Sequence, residues 1–391
     1  MNEALNIQSS MKPSSGCNAF TLCDGMVVLR DGVDRLFLLN STGRSFWELF
    51  GNGWSIDRIA EHWQQRYGLA REHAYAELSA LVKALAQQGL LGPVSQRPQI
   101  LAAVCPPKRF CCSDDAPPAR TCRIISGTFS VQCSSTALEQ DIRWLYSHLE
   151  SKADVTENCF EIIECGSGYA LNRDNREVAT ANCRQKLWAI VLFHLGEVGR
   201  QDQSQLLVLH AGAVAVGKSS LLFTAPSGGG KSTLVTYLAH HGYDYLSDDM
   251  TPINAATLEA EPAPTCMSIK SGSWETVGRF RPDLWSRVPV VNGERLVRFL
   301  TPPPTDPAVW LQRYSIKAII CPRFRPGADA QLEQLDPFEL LQEIVESQAY
   351  FRKPLLAQRI AQLVEWVASL PGYRLTYGSL EQAAWQISQL A

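Results

Sequence analysis

The residues best suited to chemistry lie between positions 210 and 249. A glycine-rich run, Ala225-Pro226-Ser227-Gly228-Gly229-Gly230-Lys231-Ser232, leads through Thr233 into an apolar helical stretch. This is the pattern of a phosphate-binding P-loop. Side chains are absent where backbone N–H groups must converge on phosphate oxygens, and the helix N-terminus adds partial positive charge. Lys231 is expected to reach the β- and γ-phosphates, and the Ser232 hydroxyl to hold Mg²⁺. Ser227, Gly228, Gly229, Gly230, Lys231, Ser232 and Thr233 thus form the expected cradle, with ATP and Mg²⁺ as cofactors. Ala225 stands where the strict pattern has glycine, a small-residue variant the loop tolerates.

Two carboxylates follow. Tyr243-Asp244-Tyr245-Leu246-Ser247 reads as a short strand that delivers Asp248 and Asp249 beside the loop. Neighbours on a strand point in opposite directions, so the two cannot be equivalent ligands. One could hold Mg²⁺ while the other takes a proton from an attacking group; a solvated acidic turn is the plainer alternative. His210 ends the apolar run Leu206-Leu207-Val208-Leu209, a place where histidine is usually structural. Lys270 is a candidate contact for phosphate or substrate, and Arg279, Arg295, Arg298 and Arg323 are further cations that sequence alone does not rank.

Regular elements must position these groups. Ser219 to Thr224 reads as a buried strand before the loop, and Ser232 to His241 as a helix stopped by Gly242. Strands are expected at 123–125, 160–163, 316–320 and 373–377. Helices are expected at 137–149, 181–196, 337–348, 355–369 and 379–390. Together they indicate an α/β domain over 121–391.

The N-terminal stretch has a different grammar. Met26–Leu29 and Leu36–Leu39 are short apolar runs joined by a Gly-containing turn, which predicts a hairpin. Ser41 or Thr42 can cap a first helix and Ser55 a second. A third carries Ala74, Leu78, Leu81, Val82 and Leu85 at helical spacing. A small α+β module over 1–92 follows, with Trp47, Trp63 and Leu81 expected in its core. Pro93, Pro98, Pro106, Pro107, Pro117 and Pro118 argue for a linker over 93–120.

The succession Leu36-Phe37-Leu38-Leu39-Asn40-Ser41-Thr42-Gly43-Arg44, Phe46-Trp47-Glu48-Leu49 and Gln88-Gly89-Leu90-Leu91 resembles the PqqD family. Those winged-helix domains hold the leaders of ribosomally made, later-modified peptides. The resemblance implies that a leader adds as a strand along Arg35 to Leu39, against the helix from Arg71 to Gln88. Phe37, Leu38 and Leu39 are then substrate contacts. Strand addition is ordinary physics, since an exposed edge offers unpaired N–H and C=O groups.

His210, the loop Ser227 to Ser232, Gly242 and Ser247-Asp248-Asp249 resemble the HPr kinase family in type, order and spacing. That resemblance implies an HPr kinase-like P-loop fold that phosphorylates protein serine. It further implies Asp248 as the base, tuned by His210, and Asp249 near the metal. The Glu-x-Arg-Gly signature of that family is replaced by Ser268-Ile269-Lys270-Ser271-Gly272-Ser273, similar to kinase-like proteins of peptide-maturation systems. HPr itself is therefore not the expected substrate.

The bulk numbers set limits. In 391 residues, 36 basic against 39 acidic side chains leave a net charge of −3, with no electrostatic grip on nucleic acid or anionic membrane. No apolar run approaches the ~20 residues needed to cross a bilayer, and no signal peptide is visible, so a cytoplasmic protein is expected. Five cysteines between Cys105 and Cys133 lack metal-site spacing and are expected as plain thiols. The expected function is an ATP-dependent kinase for a hydroxyl, foremost serine, of a precursor peptide held by the N-terminal module. A nucleotide-gated peptide carrier and a kinase for another protein or a small molecule are the alternatives. A homo-oligomer is open.

Overall fold

A computed structural model describes residues 12–68, 70–92, 116–125, 127–152, 156–166, 168–200, 204–292 and 294–390. The chain divides into two compact units. The first comprises the described residues up to 92 together with 336–342 and 352–369; the second holds the other described residues.

In the first unit, strands β1 (Cys17–Leu22), β2 (Gly25–Arg30) and β3 (Leu36–Leu39) form an antiparallel sheet in that order. The expected hairpin is β2–β3. Strand β1 escapes a sequence reading because only Leu22 of its six residues is fully buried, leaving no apolar run. Helices α1 (Ser41–Gly51), α2 (Ile56–Tyr67) and α3 (Arg71–Gln87) follow. Asn40, not Ser41 or Thr42, caps α1 by accepting from the Gly43 N–H at 3.0 Å. Ser55 caps α2 through the Arg58 N–H at 3.3 Å, as its position suggests. Phe46, Ile59, Trp63 and Leu78 are fully buried between these helices and the sheet. Deleting one such ring, Phe46 for example, costs about 3–5 kcal/mol.

The module is not confined to its own stretch of sequence. A distant helix, Ala357–Ser369, buries Ile360, Leu363, Val364, Trp366 and Val367 and packs on β1 and β2. The ring of Phe338 lies so close to Gly25 that a Cβ there would sit 2.2 Å from it. Residues placed by sequence in the 121–391 domain thus belong to the first unit, because an apolar helical stripe does not reveal which sheet it will cover. The expected linker, 93–120, lies outside the described residues up to 115; residues 116–119 have no regular structure and a strand begins at Arg120.

The second unit contains a five-stranded sheet of β4 (Arg120–Ile124), β5 (Gly127–Cys133), β6 (Asn158–Cys165), β7 (Gly168–Arg173) and β8 (Arg176–Ala181). The helix expected over 137–149 is α4 (Thr136–Ile142), followed by two single 3₁₀ turns. Helix α5 (Arg184–Arg200) packs on this sheet through Leu187, Val191, Leu195 and Val198. Cys122 and Cys133 are buried here, and burial pushes both thiols up to about 12.

Next come β9 (Gln205–Leu209), β10 (Ala211–Val216), β11 (Ser219–Thr224), α6 (Lys231–His240), β12 (Asp244–Ser247) and β13 (Thr251–Asn254). Strand β14 (Met267–Lys270), helix α7 (Trp274–Phe280) and the strands β15 (Val290–Asn292) and β16 (Arg295–Leu300) follow. The chain ends with β17 (Ser315–Phe324), β18 (Gln331–Leu335), α8 (Pro337–Glu346), β19 (Tyr350–Phe351), α9 (Ala357–Ser369), β20 (Gly372–Tyr377) and α10 (Leu380–Ser388). The central sheet has the order β12-β10-β11-β17-β20-β18, in which β11, β17 and β20 are parallel. Two small sheets, β13-β9-β19 and β14-β16-β15, complete the unit. Strand β11 is buried from Ser220 to Thr224 because both its faces are covered, and α6 packs Leu234, Val235 and Leu238 into the same core.

One consequence of the strand order governs the site. The chain leaves β11 at the loop 225–230, with β10 and β12 on one flank and β17 and β20 on the other. Ligands of such sheets gather beyond the carboxyl ends of the parallel strands.

Candidate functional site

A cleft of about 1460 Å³ lies at that end of the sheet, within the second unit. The loop from Ala225 to Thr233 forms its floor, and His210, Asp249 and Lys270 border it. The loop takes its shape from glycine. Gly230 has φ +91° and would place a Cβ 2.3 Å from the Tyr377 hydroxyl, so no side chain fits. That hydroxyl donates to the Gly230 carbonyl at 3.3 Å, tying the loop to β20. Helix α6 opens at Lys231 without a side-chain cap, so its first N–H groups face the loop unclaimed by any capping side chain. This is the anion-binding end of a helix.

The charged groups converge. Lys231 is 8% exposed, and its Nζ lies 3.5 Å from Asp249 Oδ1. His210 Nε2 lies 2.9 Å from the same oxygen, while Nδ1 lies 3.0 Å from the Ser347 carbonyl. Asp249 stands deep in the cleft yet its side chain is 65% exposed to the cleft space. Crowding alone would raise its pKa; the His210 hydrogen bond and the Lys231 charge outweigh that and hold it well below the usual carboxylate range.

Asp248 faces the other way. It is 1% exposed, and its Oδ2 accepts the Ser268 N–H at 3.0 Å. Burial raises its pKa and Asp249 adds to the rise. The Lys231 charge, the Ser268 N–H and the Ser232 hydroxyl oppose it. Oδ1 of Asp248 is buried with no hydrogen-bond partner among the described residues. A buried carboxylate oxygen left bare beside a hydroxyl suits a cation, and Ser232 and Asp248 together fit Mg²⁺.

The expected pairing of His210 with Asp248 is therefore corrected. The histidine meets Asp249, because Asp248 turns inward under β14 while Asp249 turns into the cleft. The opposed directions match the expectation, although β12 ends at Ser247 and the two lie in the bend after it; which residue faces which way was not foretold.

Lys270 and Arg295 come from β14 and β16 and both reach Ser227. Lys270 Nζ donates to Ser227 Oγ at 2.6 Å, and Arg295 donates to the same hydroxyl. Lys270 is lowered by burial, with Arg295 and Lys231 adding like charge. Two cations meeting on one serine hydroxyl, with Lys231 close enough to add its charge, make a strong anion site. Arg279 also lines the cleft. Arg298 instead lies over the Trp274 and Trp285 rings, and Arg323 pairs with Glu343, so neither borders the cleft. Thr233 borders the cleft but its hydroxyl donates to Ser273 Oγ at 2.8 Å. Tyr377 and Phe324, both cleft residues, were invisible to sequence reasoning; the aromatic ends of parallel strands were the signal available.

In the first unit, β3 is the sheet's outer strand, with no further strand beyond it among the described residues. Phe37 and Leu38 are half-buried on it. Leu39 is 7% exposed and belongs to the module's core, so of the three expected contacts its side chain is not offered to a partner.

Residues 25–91 match the family model described as coenzyme PQQ synthesis protein D (PqqD), so the N-terminal module is PqqD-like. Comparison with curated proteins gives no match. Among solved structures, the chain is similar to TbiB1 in complex with the TbiA(beta) leader peptide, at 24% identity over 22% of this chain and 99% of that one, TM-score 0.21. It is also similar to the Hpr(Ser) kinase/phosphatase from Coxiella burnetii, at 13% identity over 47% of this chain and 92% of that one, TM-score 0.21. The fold is α/β, with a small PqqD-like α+β module preceding a larger α/β unit built on the six-stranded sheet.

Proposed function

We propose that this protein transfers the γ-phosphoryl group of ATP to a hydroxyl, foremost serine, of a ribosomally made peptide that its PqqD-like module captures. The observation that carries the reading is the meeting of Lys231, Asp249 and His210 at the mouth of a glycine-rich loop. A nucleotide-binding loop needs Lys231; it does not need a histidine-clamped carboxylate open to the cleft. A transferase does.

The roles follow from position. Lys231, Lys270 and Arg295 bear the phosphate charge, and the loop backbone from Ser227 to Gly230 cradles it. Ser232 and Asp248 would hold Mg²⁺, which would supply further charge neutralisation on the phosphates. Asp249 accepts the proton of the attacking hydroxyl, whose oxygen forms a bond to the γ-phosphorus as the bond to ADP breaks. His210 holds Asp249 in place. The base role thus passes from Asp248 to Asp249, and the metal role from Asp249 to Asp248.

Capture rests on β3. An extended leader laid on its free edge would pair with backbone groups and lie against α3, and a tethered acceptor reaches the cleft at raised local concentration. The reading is tested by incubating the full chain with Mg·ATP and the precursor peptide encoded beside its gene, then weighing the peptide. A phosphate on the peptide supports it. ADP formed with the peptide unchanged would favour a nucleotide-gated carrier instead.

A further inference from the structure

We infer that the nucleobase of the bound nucleotide rests on the Phe324 ring, in the half of the cleft walled by Tyr377, Gly378, Ser379 and Glu381. This rests on the nucleotide reading above and adds how the ligand is oriented across the sheet.

The strand order divides the cleft. On the β10–β12 flank of the loop stand His210 and Asp249, and Lys270 and Arg295 reach Ser227. These groups suit the reacting end of a triphosphate. The β17–β20 flank contributes Phe324 and residues 377–381, which include no cation. Its one charge is Glu381, held below the usual range by the Ser379 hydroxyl, which donates to it at 2.6 Å. His241 and Arg279 lie near Glu381 from the end of α6 and from α7, but the flank itself offers phosphate no cation, so the uncharged end of the ligand belongs there.

Phe324 is built as a platform. It ends β17, whose preceding residues Ala318 to Pro322 are buried, yet it is itself 49% exposed. Its N–H donates to the Gly229 carbonyl at 3.2 Å, and its ring meets Tyr377 with centroids 5.6 Å apart at 64°. Tyr377 is in turn tied to Gly230. The ring is therefore fixed to the phosphate loop with a face left open, and a flat base covering it gains stacking. A second aromatic group borders the cleft but is already self-satisfied: Tyr237 stacks on His241 at 3.9 Å and meets Phe280 edge-on at 5.3 Å.

Titration calorimetry of the full chain with Mg·ATP and with Mg·tripolyphosphate tests the assignment, because the second ligand has the charge without the base. Phe324→Ala should weaken ATP about tenfold or more while leaving tripolyphosphate unchanged. Phe324→Trp should restore ATP affinity, which separates stacking from damage to the loop. Unaltered ATP affinity in Phe324→Ala, or equal loss for both ligands, overturns the assignment and leaves nucleotide binding standing. A wild-type chain that binds neither ligand overturns both.

Discussion

His210 Nε2 lies 2.9 Å from Asp249 Oδ1 while Nδ1 of the same ring lies 3.0 Å from the Ser347 carbonyl. A carboxylate and a carbonyl both accept, so the two contacts are satisfied together only when each ring nitrogen carries a hydrogen. The backbone carbonyl thus fixes the ring, and the ring fixes the carboxylate. His210→Ala should leave ATP affinity nearly unchanged but lower the rate of peptide phosphorylation about 100-fold, the lower range for a misplaced general base. Steady-state kinetics check this: kcat falls and KM for ATP holds. His210→Gln, which keeps one donor, should recover part of the loss.

Gly230 tests the loop's geometry. Gly230→Ala must hold a side chain at φ +91° and push its Cβ against the Tyr377 hydroxyl. The expected destabilisation is about 1–3 kcal/mol, seen as a lower Tm, with loss of Mg·ATP binding. Adding Tyr377→Phe relieves the clash but not the backbone strain, so it should restore stability only in part.

Peptide capture is tested on β3 without removing the module. Deleting residues 1–92 would bare the apolar stripe of α9, which packs on β1 and β2, and confuse binding with misfolding. In an edge strand, successive residues turn their backbone groups alternately inward and outward. Of Phe37→Pro and Leu38→Pro, one therefore keeps the β2 pairing and loses only an outward N–H. The variant that melts like wild type should bind leader peptide at least tenfold more weakly by fluorescence anisotropy. Unchanged affinity in that variant would count against strand addition.

His148 supplies a pH dependence remote from the cleft. It is half-buried, its Nε2 lies 2.6 Å from the Pro264 carbonyl, and its Nδ1 is closed off from solvent with no partner among the described residues. Burial lowers its pKa to about 4 from 6.5, the Pro264 contact partly offsetting the shift. The folded state therefore keeps it neutral where the unfolded chain binds a proton. Stability from this group is full above pH 6.5, declines as pH falls toward 4, and is level below that. The total is roughly 3 kcal/mol. His148→Phe should flatten that segment of the denaturation-versus-pH curve.

Much of this was legible in the residues, and the gaps have physical causes. The bounds of β11 coincide with the expected strand, and α6 and β12 fall within a residue of expectation, because strongly apolar runs are stopped by Gly242 and by the glycines of the loop. That Asp248 and Asp249 point in opposite directions followed from their adjacency, although β12 ends at Ser247 and the two lie in the bend after it. Their roles did not, because which face lies inward depends on β14 arriving to offer the Ser268 N–H. Lys270 was nominated from sequence and Arg295 was one of four unranked arginines. Only tertiary structure brings both to Ser227 and sends Arg298 and Arg323 elsewhere. The reach of α9 into the N-terminal unit was equally hidden, since amphipathicity states that a face is covered and not by what.

The most direct test of the central claim is single-turnover phosphate transfer from labelled Mg·ATP to the precursor peptide, compared between wild type, Asp249→Asn and Lys231→Ala. The account predicts phosphopeptide with the wild type, nearly none with Asp249→Asn despite retained ATP binding, and none with Lys231→Ala. Phosphopeptide formed by Asp249→Asn at the wild-type rate would contradict it.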